Sequence, residues 1–272
     1  HRDLHSFPTR RSSDLIIKAL REGLAGNAIS QVIGILNGTC NYILTTMRET
    51  GRNFADVLAE AQTLGYAEAD PSFDVDGIDA AHKLSILTSL AFHAPVDFKA
   101  VHVEGIGNVS ADDIRFAERL GYRIKLLGIA RMTDHGVEQR VHPCMVPLAS
   151  PIAKVEGVFN AVVAEGDFVG RSIYEGRGAG AGPTASAVAA DIVDIARGCK
   201  APTFGVPATA LKSLPAAAMD RRQGAYYLRL TVVDRPGVLA DVAAALRDEQ
   251  VSVEQMIQDA RAPGDPVPMV MT

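Results

Sequence analysis

The chain has 272 residues, 47% of them hydrophobic and 22% charged, which suffices for one large or two ordinary domains with ample core. A formal net charge of −5 excludes broad attraction to nucleic acid or to an anionic membrane surface, and no apolar run has the length of a transmembrane helix or the shape of a signal peptide. Cys40, Cys144 and Cys199 are odd in number and lack Cys-x-x-Cys spacing, so buried free thiols in a cytoplasmic protein are expected and a zinc site is not.

Residues 1–15, HRDLHSFPTRRSSDL, are polar, arginine-rich and aperiodic, and the pattern switches abruptly at Ile16. They read as a non-native leader. A short helix is expected over residues 16–26, with Ile17, Leu20 and Leu24 on one side. Residues 28–36 have strand character and end in Asn37-Gly38-Thr39, a tight turn. Thr39 or that turn starts a helix carrying Tyr42, Ile43, Leu44 and Met47 to about Thr50. A second amphipathic helix follows over residues 54–64.

The stretch 65–84 then gathers Glu68, Asp70, Asp74, Asp76, Asp79 and Lys83 around Pro71 and Gly77. Asp76 suits a helix N-cap. Beyond it Ile78, Ala81, Leu84, Leu87 and Ala91 recur every three or four residues, so one face turns inward. Asp76, Asp79 and Lys83 fall along one flank of that helix. A lysine held beside carboxylates at a loop edge is a proton-handling arrangement. A calcium loop is excluded, because aligning Gly77 as its turn glycine puts Ser72 at the first ligand position and Lys83 where a bidentate Glu belongs. A solvated charged surface remains open, as does a simple Asp79–Lys83 helix pair stabilising by roughly 0.3–0.5 kcal/mol.

The long helix ends near Ala94-Pro95, and a strand is expected over 101–106. Ser110 reads as an N-cap for a helix reaching Leu120. Strands are expected over 122–132, 137–146, 155–163 and 167–175, with Asp134-His135-Gly136 turning the first pair. These extended strands offer a sheet for pairing with a symmetric copy. His142 lies among them without a second His or Cys at ligand spacing, so a structural role is expected. Gly176 to Thr184 is glycine-rich and precedes an apolar helix over 185–196. Its spacing is G-x-G-x-G, which suits either an anion at the helix N-terminus or a loop requiring close backbone approach. Pro202, Pro207, Pro215 and Arg221-Arg222 mark a linker over 201–223. A strand (226–233), a turn (234–237), a helix (238–249) and a strand (251–259) follow, with a third strand under way at Thr272.

Three segments carry a resemblance. GLAGNAISQVIGILNGTCNYIL, GYAEADPSFDVDGIDAAHKLSIL and YEGRGAGAGPTASAVAADIVDIA are similar, in this order, to the homoserine dehydrogenase family, over about two thirds of the chain. VVDRPGVLADVAAAL resembles the opening of an ACT domain, a ferredoxin-like module that often binds amino acids. The resemblance implies an α+β chain: a catalytic and dimerisation domain (16–200) with a mixed or antiparallel sheet, and a truncated ACT-like βαβ domain (224–272). It implies NAD(P)-dependent interconversion of L-aspartate 4-semialdehyde and L-homoserine, in threonine, methionine and isoleucine biosynthesis. Lys83 would handle the hydroxyl proton and Asp79 would orient it. Glu68 would take the substrate ammonium with Asp74 in support, while Gly38, Thr39 and Tyr66 shape the pocket. Gly178, Ala179 and Gly180 would touch the cofactor. The family's Rossmann domain should precede Ile16, and no G-x-G-x-x-G follows a strand here, so the chain is expected to be inactive alone. A homodimer or homotetramer is implied, and threonine at a complete ACT domain. Two other readings stay open: a pyridoxal-phosphate enzyme using Lys83, and a non-enzymatic amino-acid sensor built on the ACT-like part.

Overall fold

In the computed structural model, residues 13–219, 222, 224–259 and 264–272 are described, so residues 1–12 of the expected leader lie outside them, as do 220, 221 and 223 of the expected linker. The strands of the larger sheet are β1 (Ile29–Ile35), β2 (His102–Val103), β3 (Tyr122–Thr133), β4 (Gly136–Pro147), β5 (Phe159–Gly166) and β6 (Gly170–Arg177). They run in the order β2-β4-β3-β1-β5-β6. Every ladder is antiparallel except the short β2–β4 pair. The β3–β4 hairpin turns at Asp134-His135, as expected, and stays in register from Thr133 opposite Gly136 to Tyr122 opposite Pro147.

Period-two alternation divides the sheet into two faces. Val32, Leu126, Ala130, Val141 and Val162 pack into the main core beneath the helices. Ile35, Leu127, Ile129, Val146 and Val163 form a second cluster on the opposite face. The helices on the first face are α1 (Ser13–Lys18, continuing as a π-turn over Ala19–Gly23), α2 (Gly38–Thr50), α3 (Phe54–Thr63), α4 (Ser72–Val75) and α5 (Ile78–Phe92). Next in the chain is α6 (Ala111–Arg119).

Helix α5 departs from the one-faced expectation. Ala81, Leu84 and Ser89 are all 0% exposed, so it is buried nearly all round. Its polar residues are tolerated because backbone carbonyls take their hydroxyls: Thr88 donates to Leu84 O at 2.9 Å and Ser89 to Ala94 O at 2.5 Å. Asp76 does not cap this helix. It ends α4, and Gly77, at φ 82°, is the residue that opens α5. A Cβ at Gly77 would also stand 3.2 Å from Val141 Cγ1.

Other expectations shift for local reasons. The strand expected over 101–106 shrinks to two residues, since Ile106 N–H donates to Val75 O at 2.8 Å rather than to the ladder. Strand β5 begins at Phe159, after a 3₁₀ turn at Pro151–Lys154. Of the thiols expected to be buried, Cys40 is buried, Cys144 half-buried and Cys199 exposed. Among the described residues, no helix is long and apolar enough to cross a membrane.

The C-terminal part adds β7 (Leu228–Val233), α8 (Val238–Asp248), β8 (Met256–Gln258) and β9 (Pro266–Met271), with β9 central and antiparallel to both neighbours. The strand expected over 251–259 is thus three residues long. The preceding segment is tied to the hairpin: Val137 N–H donates to Pro215 O at 2.8 Å and Ala217 N–H returns to Val137 O at 3.0 Å. The small sheet docks on α6, where Phe116 and Leu120 meet Val270, Tyr227 and Ile257. Asp113 closes a capping box with Ser110 and also accepts from Tyr227 Oη at 2.9 Å and Arg229 Nε at 2.7 Å.

Burial alone would raise the Asp113 carboxyl, but Ser110, Tyr227 and Arg229 outweigh it and hold it below the usual range. A depressed carboxylate stabilises the fold above the unfolded value, about 3.9, and that contribution is lost as pH falls through the folded value. Asp113→Asn should therefore lower stability by about 1–2 kcal/mol at pH 7, with the difference closing near pH 2. Urea melts at both pH values test this, and a gap that persists unchanged in acid would contradict it.

Candidate active site

The site forms where the end of β1 enters α2. Asn37, in extended conformation, caps α2 by accepting the Cys40 N–H at 2.8 Å on Oδ1. Its Nδ2 points the other way and donates to Asp74 Oδ1 at 2.7 Å and Asp79 Oδ2 at 2.9 Å. One side chain thus fixes a helix start and joins two carboxylates from α4 and α5. Asp79 is 5% exposed, so its charge needs these donors.

Lys83, one turn along α5, donates to Asp79 Oδ2 at 2.6 Å and to Leu36 O at 3.0 Å. An ammonium has three N–H groups, so one remains for a ligand. The Lys83 side chain keeps 14% of its surface accessible, against 7% for Asp79. The geometry suits proton exchange with a hydroxyl or carbonyl oxygen placed before Lys83, while Asp79 holds the ammonium in position.

The remaining expected residues divide. Thr39 Oγ1 donates to Tyr66 O at 2.7 Å, which binds the 64–70 loop to the start of α2. The Tyr66 ring stands edge-on to Tyr42 with centroids 4.8 Å apart. Burial first, with the Asp79 charge adding to it, pushes the Asp74 carboxyl upward against the Asn37 hydrogen bond. Glu68 is exposed on the loop, its carbonyl held by Gln62 Nε2 at 3.0 Å. Asp76 is exposed and takes no part. Cys40 Sγ lies 3.2 Å from Asp74 O, and burial first, then Asp74 and Asp79, drives its pKa well up, so it is an inert thiol.

The glycine-rich element approaches from β6. Gly178 is buried, Ala179 and Gly180 are exposed, and Gly180 at φ 120° opens α7 (Ala181–Ala196). This helix starts four residues before the expected 185, with Pro183 in its first turn where a missing N–H costs nothing. Gly178 adjoins the α2 turn through Asn160 of β5. A Cβ at Gly178 would stand 2.5 Å from Asn160 Oδ1, and one at Gly38 would stand 3.2 Å from the same atom. Lys83 and Asp79 are therefore joined directly, Asp79 and Asp74 through Asn37, Thr39 and Tyr66 by a separate hydrogen bond, and Gly38 and Gly178 by a shared neighbour.

Asn37, the Leu36 carbonyl and Asn160 are absent from the sequence-based set. An Asn before Gly38-Thr39 at a strand-to-helix junction is an N-cap signal, which could have marked Asn37. The other two carry no local signal. His142 sits half-buried with Nε2 accepting from Arg140 Nε at 3.0 Å and Nδ1 2.8 Å from Pro143 O. Among the described residues, no group of three or more His, Cys, Asp or Glu side chains is arranged to hold a metal ion.

The homoserine dehydrogenase family model matches residues 16–193, and the ACT domain model matches residues 226–271. A homoserine dehydrogenase of Neisseria gonorrhoeae is 53% identical over 249 residues, covering 89% of this chain and 57% of its own. The crystal structure of a homoserine dehydrogenase from Thiobacillus denitrificans is 49% identical with a TM-score of 0.87, covering 94% of this chain and 59% of that one. A hyperthermophilic archaeal homoserine dehydrogenase solved in complex with NADPH is 32% identical with a TM-score of 0.59, covering 70% of this chain and 54% of that one. This chain thus spans less than two thirds of the length of each. With family model, sequence identity and fold in agreement, the chain belongs to the homoserine dehydrogenase family and carries an ACT domain after the segment that this family's model matches.

Proposed function

We propose that this chain provides the substrate-binding and proton-transferring part of an NAD(P)-dependent homoserine dehydrogenase, interconverting L-aspartate 4-semialdehyde and L-homoserine in cytoplasmic biosynthesis of threonine, methionine and isoleucine. The observation that carries this reading is Lys83, anchored between Asp79 and Leu36 O with one N–H uncommitted. In the reducing direction its ammonium donates a proton to the substrate carbonyl oxygen. In the oxidising direction its neutral amine accepts the hydroxyl proton. Asp79 stabilises the charged form and aims it. Glu68 and Asp74 grip the substrate ammonium, and the uncapped N–H groups of Gly38 and Thr39 at the α2 N-terminus suit its carboxylate. Tyr66 walls the pocket.

A nicotinamide cofactor, when bound, exchanges hydride with C4 of the substrate. The residues present fit such a group. Gly178 brings the loop backbone close against Asn160, where a Cβ would stand 2.5 Å from Oδ1, and Ala179 and Gly180 are exposed beside it, next to the substrate turn. We place the main nucleotide-binding region outside this chain. In support, α7 leaves Val188 43%, Ile192 60% and Ile195 76% exposed, an apolar strip at helical spacing that a further domain would cover. A Schiff-base role for Lys83 fits less well, because its amine is committed to an ion pair. The catalytic domain (16–200), linker (201–223) and ACT-like domain (224–272) remain our division of the chain. Threonine is the proposed ligand of a complete ACT domain, and a homodimer or homotetramer the proposed assembly.

The central tests use a protein that joins these residues to the nucleotide-binding region. Lys83→Ala removes a group that acts as the proton moves, so kcat should fall by about 10²–10⁴-fold with little change in KM. A folded variant that turned over normally would remove Lys83 from the chemistry. Glu68→Gln keeps shape but loses a charge-assisted hydrogen bond, so KM for homoserine should rise roughly tenfold with a smaller change in kcat. An unaltered KM would mean that other groups take the ammonium. The chain should sediment as a dimer or larger at micromolar concentration, and a monomer would count against assembly through the sheet.

A further inference from the structure

Asn160 is 6% exposed, and its Oδ1 has no hydrogen-bond partner among the described residues. A buried carbonyl oxygen left without a donor is destabilising, so the group needs an explanation. Its position supplies one. Asn160 faces Gly176 across the β5–β6 ladder. Hypothetical Cβ atoms at Gly178 and Gly38 would meet its amide at 2.5 Å and 3.2 Å, so it lies beneath the glycine-rich loop on one side and the substrate turn on the other. A Cβ at Gly178 would force the amide aside, and one at Gly38 would press on it.

Resting on the function proposed above, we propose that Asn160 recognises the carboxamide of the nicotinamide ring. A primary carboxamide offers an N–H donor for Oδ1 and an acceptor for Nδ2, so two amides pair reciprocally. Other polar groups of the ligands match less well. A phosphate only accepts, and the substrate ammonium has the stronger acceptors Glu68 and Asp74. The carboxamide is carried on the ring carbon next to the one that exchanges hydride, and that reacting carbon must face the substrate held at Gly38 and Lys83. An amide anchored between the two loops therefore fixes the rotation of the ring at the point where its orientation decides the geometry of transfer.

The test is a cycle between protein and ligand, run on the full-length protein that carries this chain. Dissociation constants are measured by calorimetry for NAD(P)⁺ and for its 3-acetylpyridine analogue, in which a methyl group replaces the carboxamide NH₂. The wild type should prefer the carboxamide nucleotide by about tenfold, the effect of losing the one N–H donor to a buried acceptor while the carbonyl is kept. In Asn160→Ala that preference should fall to about one. If this variant does not fold, Asn160→Ser, too short to reach the ring, carries the same expectation. Equal affinities in the wild type would overturn the proposal without any variant, and would fit a water on Oδ1 instead. A variant that weakened both nucleotides alike would also overturn it, since that is what a purely structural role predicts. Failure of the wild type to bind either nucleotide would sink the dehydrogenase reading itself, and this proposal with it.

Discussion

The Asn37 amide, shared between Asp74 and Asp79, is the contact on which the site depends. Two carboxylates brought together out of water repel, and each loses hydration that the protein must replace. Asn37 supplies a donor to both, and Lys83 supplies the charge that balances Asp79. The pair is desolvated, so removing one partner would strand the other, at a cost of about 3–5 kcal/mol in comparable buried pairs. The arrangement is therefore all-or-none across β1, α2, α4 and α5.

A second buried network sets where the glycine loop can sit. Lys125 of β3, 2% exposed, donates to Asn41 Oδ1 at 3.0 Å and to Val155 O at 2.6 Å. Asn41 in turn donates to Val155 O at 3.1 Å and Phe159 O at 3.0 Å. These bonds pin the first turn of α2 to the start of β5, one residue from Asn160. Burial lowers the Lys125 pKa, against the pull of Glu156. The Asn37–Thr39 turn and the glycine-rich loop thus share one base, which suits the positioning that the proposed hydride transfer requires.

The ACT domain joins the same scaffold by way of α6. Its Tyr227 and Arg229 reach Asp113 at the N-terminus of α6, and its Asp259 takes Arg119 at the C-terminal end. Helix α6 packs against α2, whose first turn builds the site. A change in how the small sheet sits on α6 therefore has a packed route to the Asn37–Thr39 turn, through elements rather than through a loop.

Much of this was legible in the residues. Periodicity marked β1, α2, α3, the β3–β4 hairpin and α8, because each has a strong local pattern and its own turn or cap chemistry. Ser110 with Asp113 announced α6 for the same reason. The type and order of most segments, and the family they resemble, followed from sequence alone; the short helix α4 and the 3₁₀ turn at Pro151–Lys154 did not. The proximity of Asp79 and Lys83 followed too, since four residues along a helix is one turn. Tertiary structure decided the rest. That α5 is buried nearly all round depends on which elements surround it, and its hydroxyls find partners in backbone carbonyls of the helix and of the turn that follows it. That Gly77 rather than Asp76 opens α5 depends on Val141 and Val103 pressing where a Cβ would be. Asn37 became a bridge, and Asn160 a wedge between two glycines, only when chain segments far apart in sequence met. A hydrogen bond between such segments leaves no period and no spacing to read, so geometry alone could assign it.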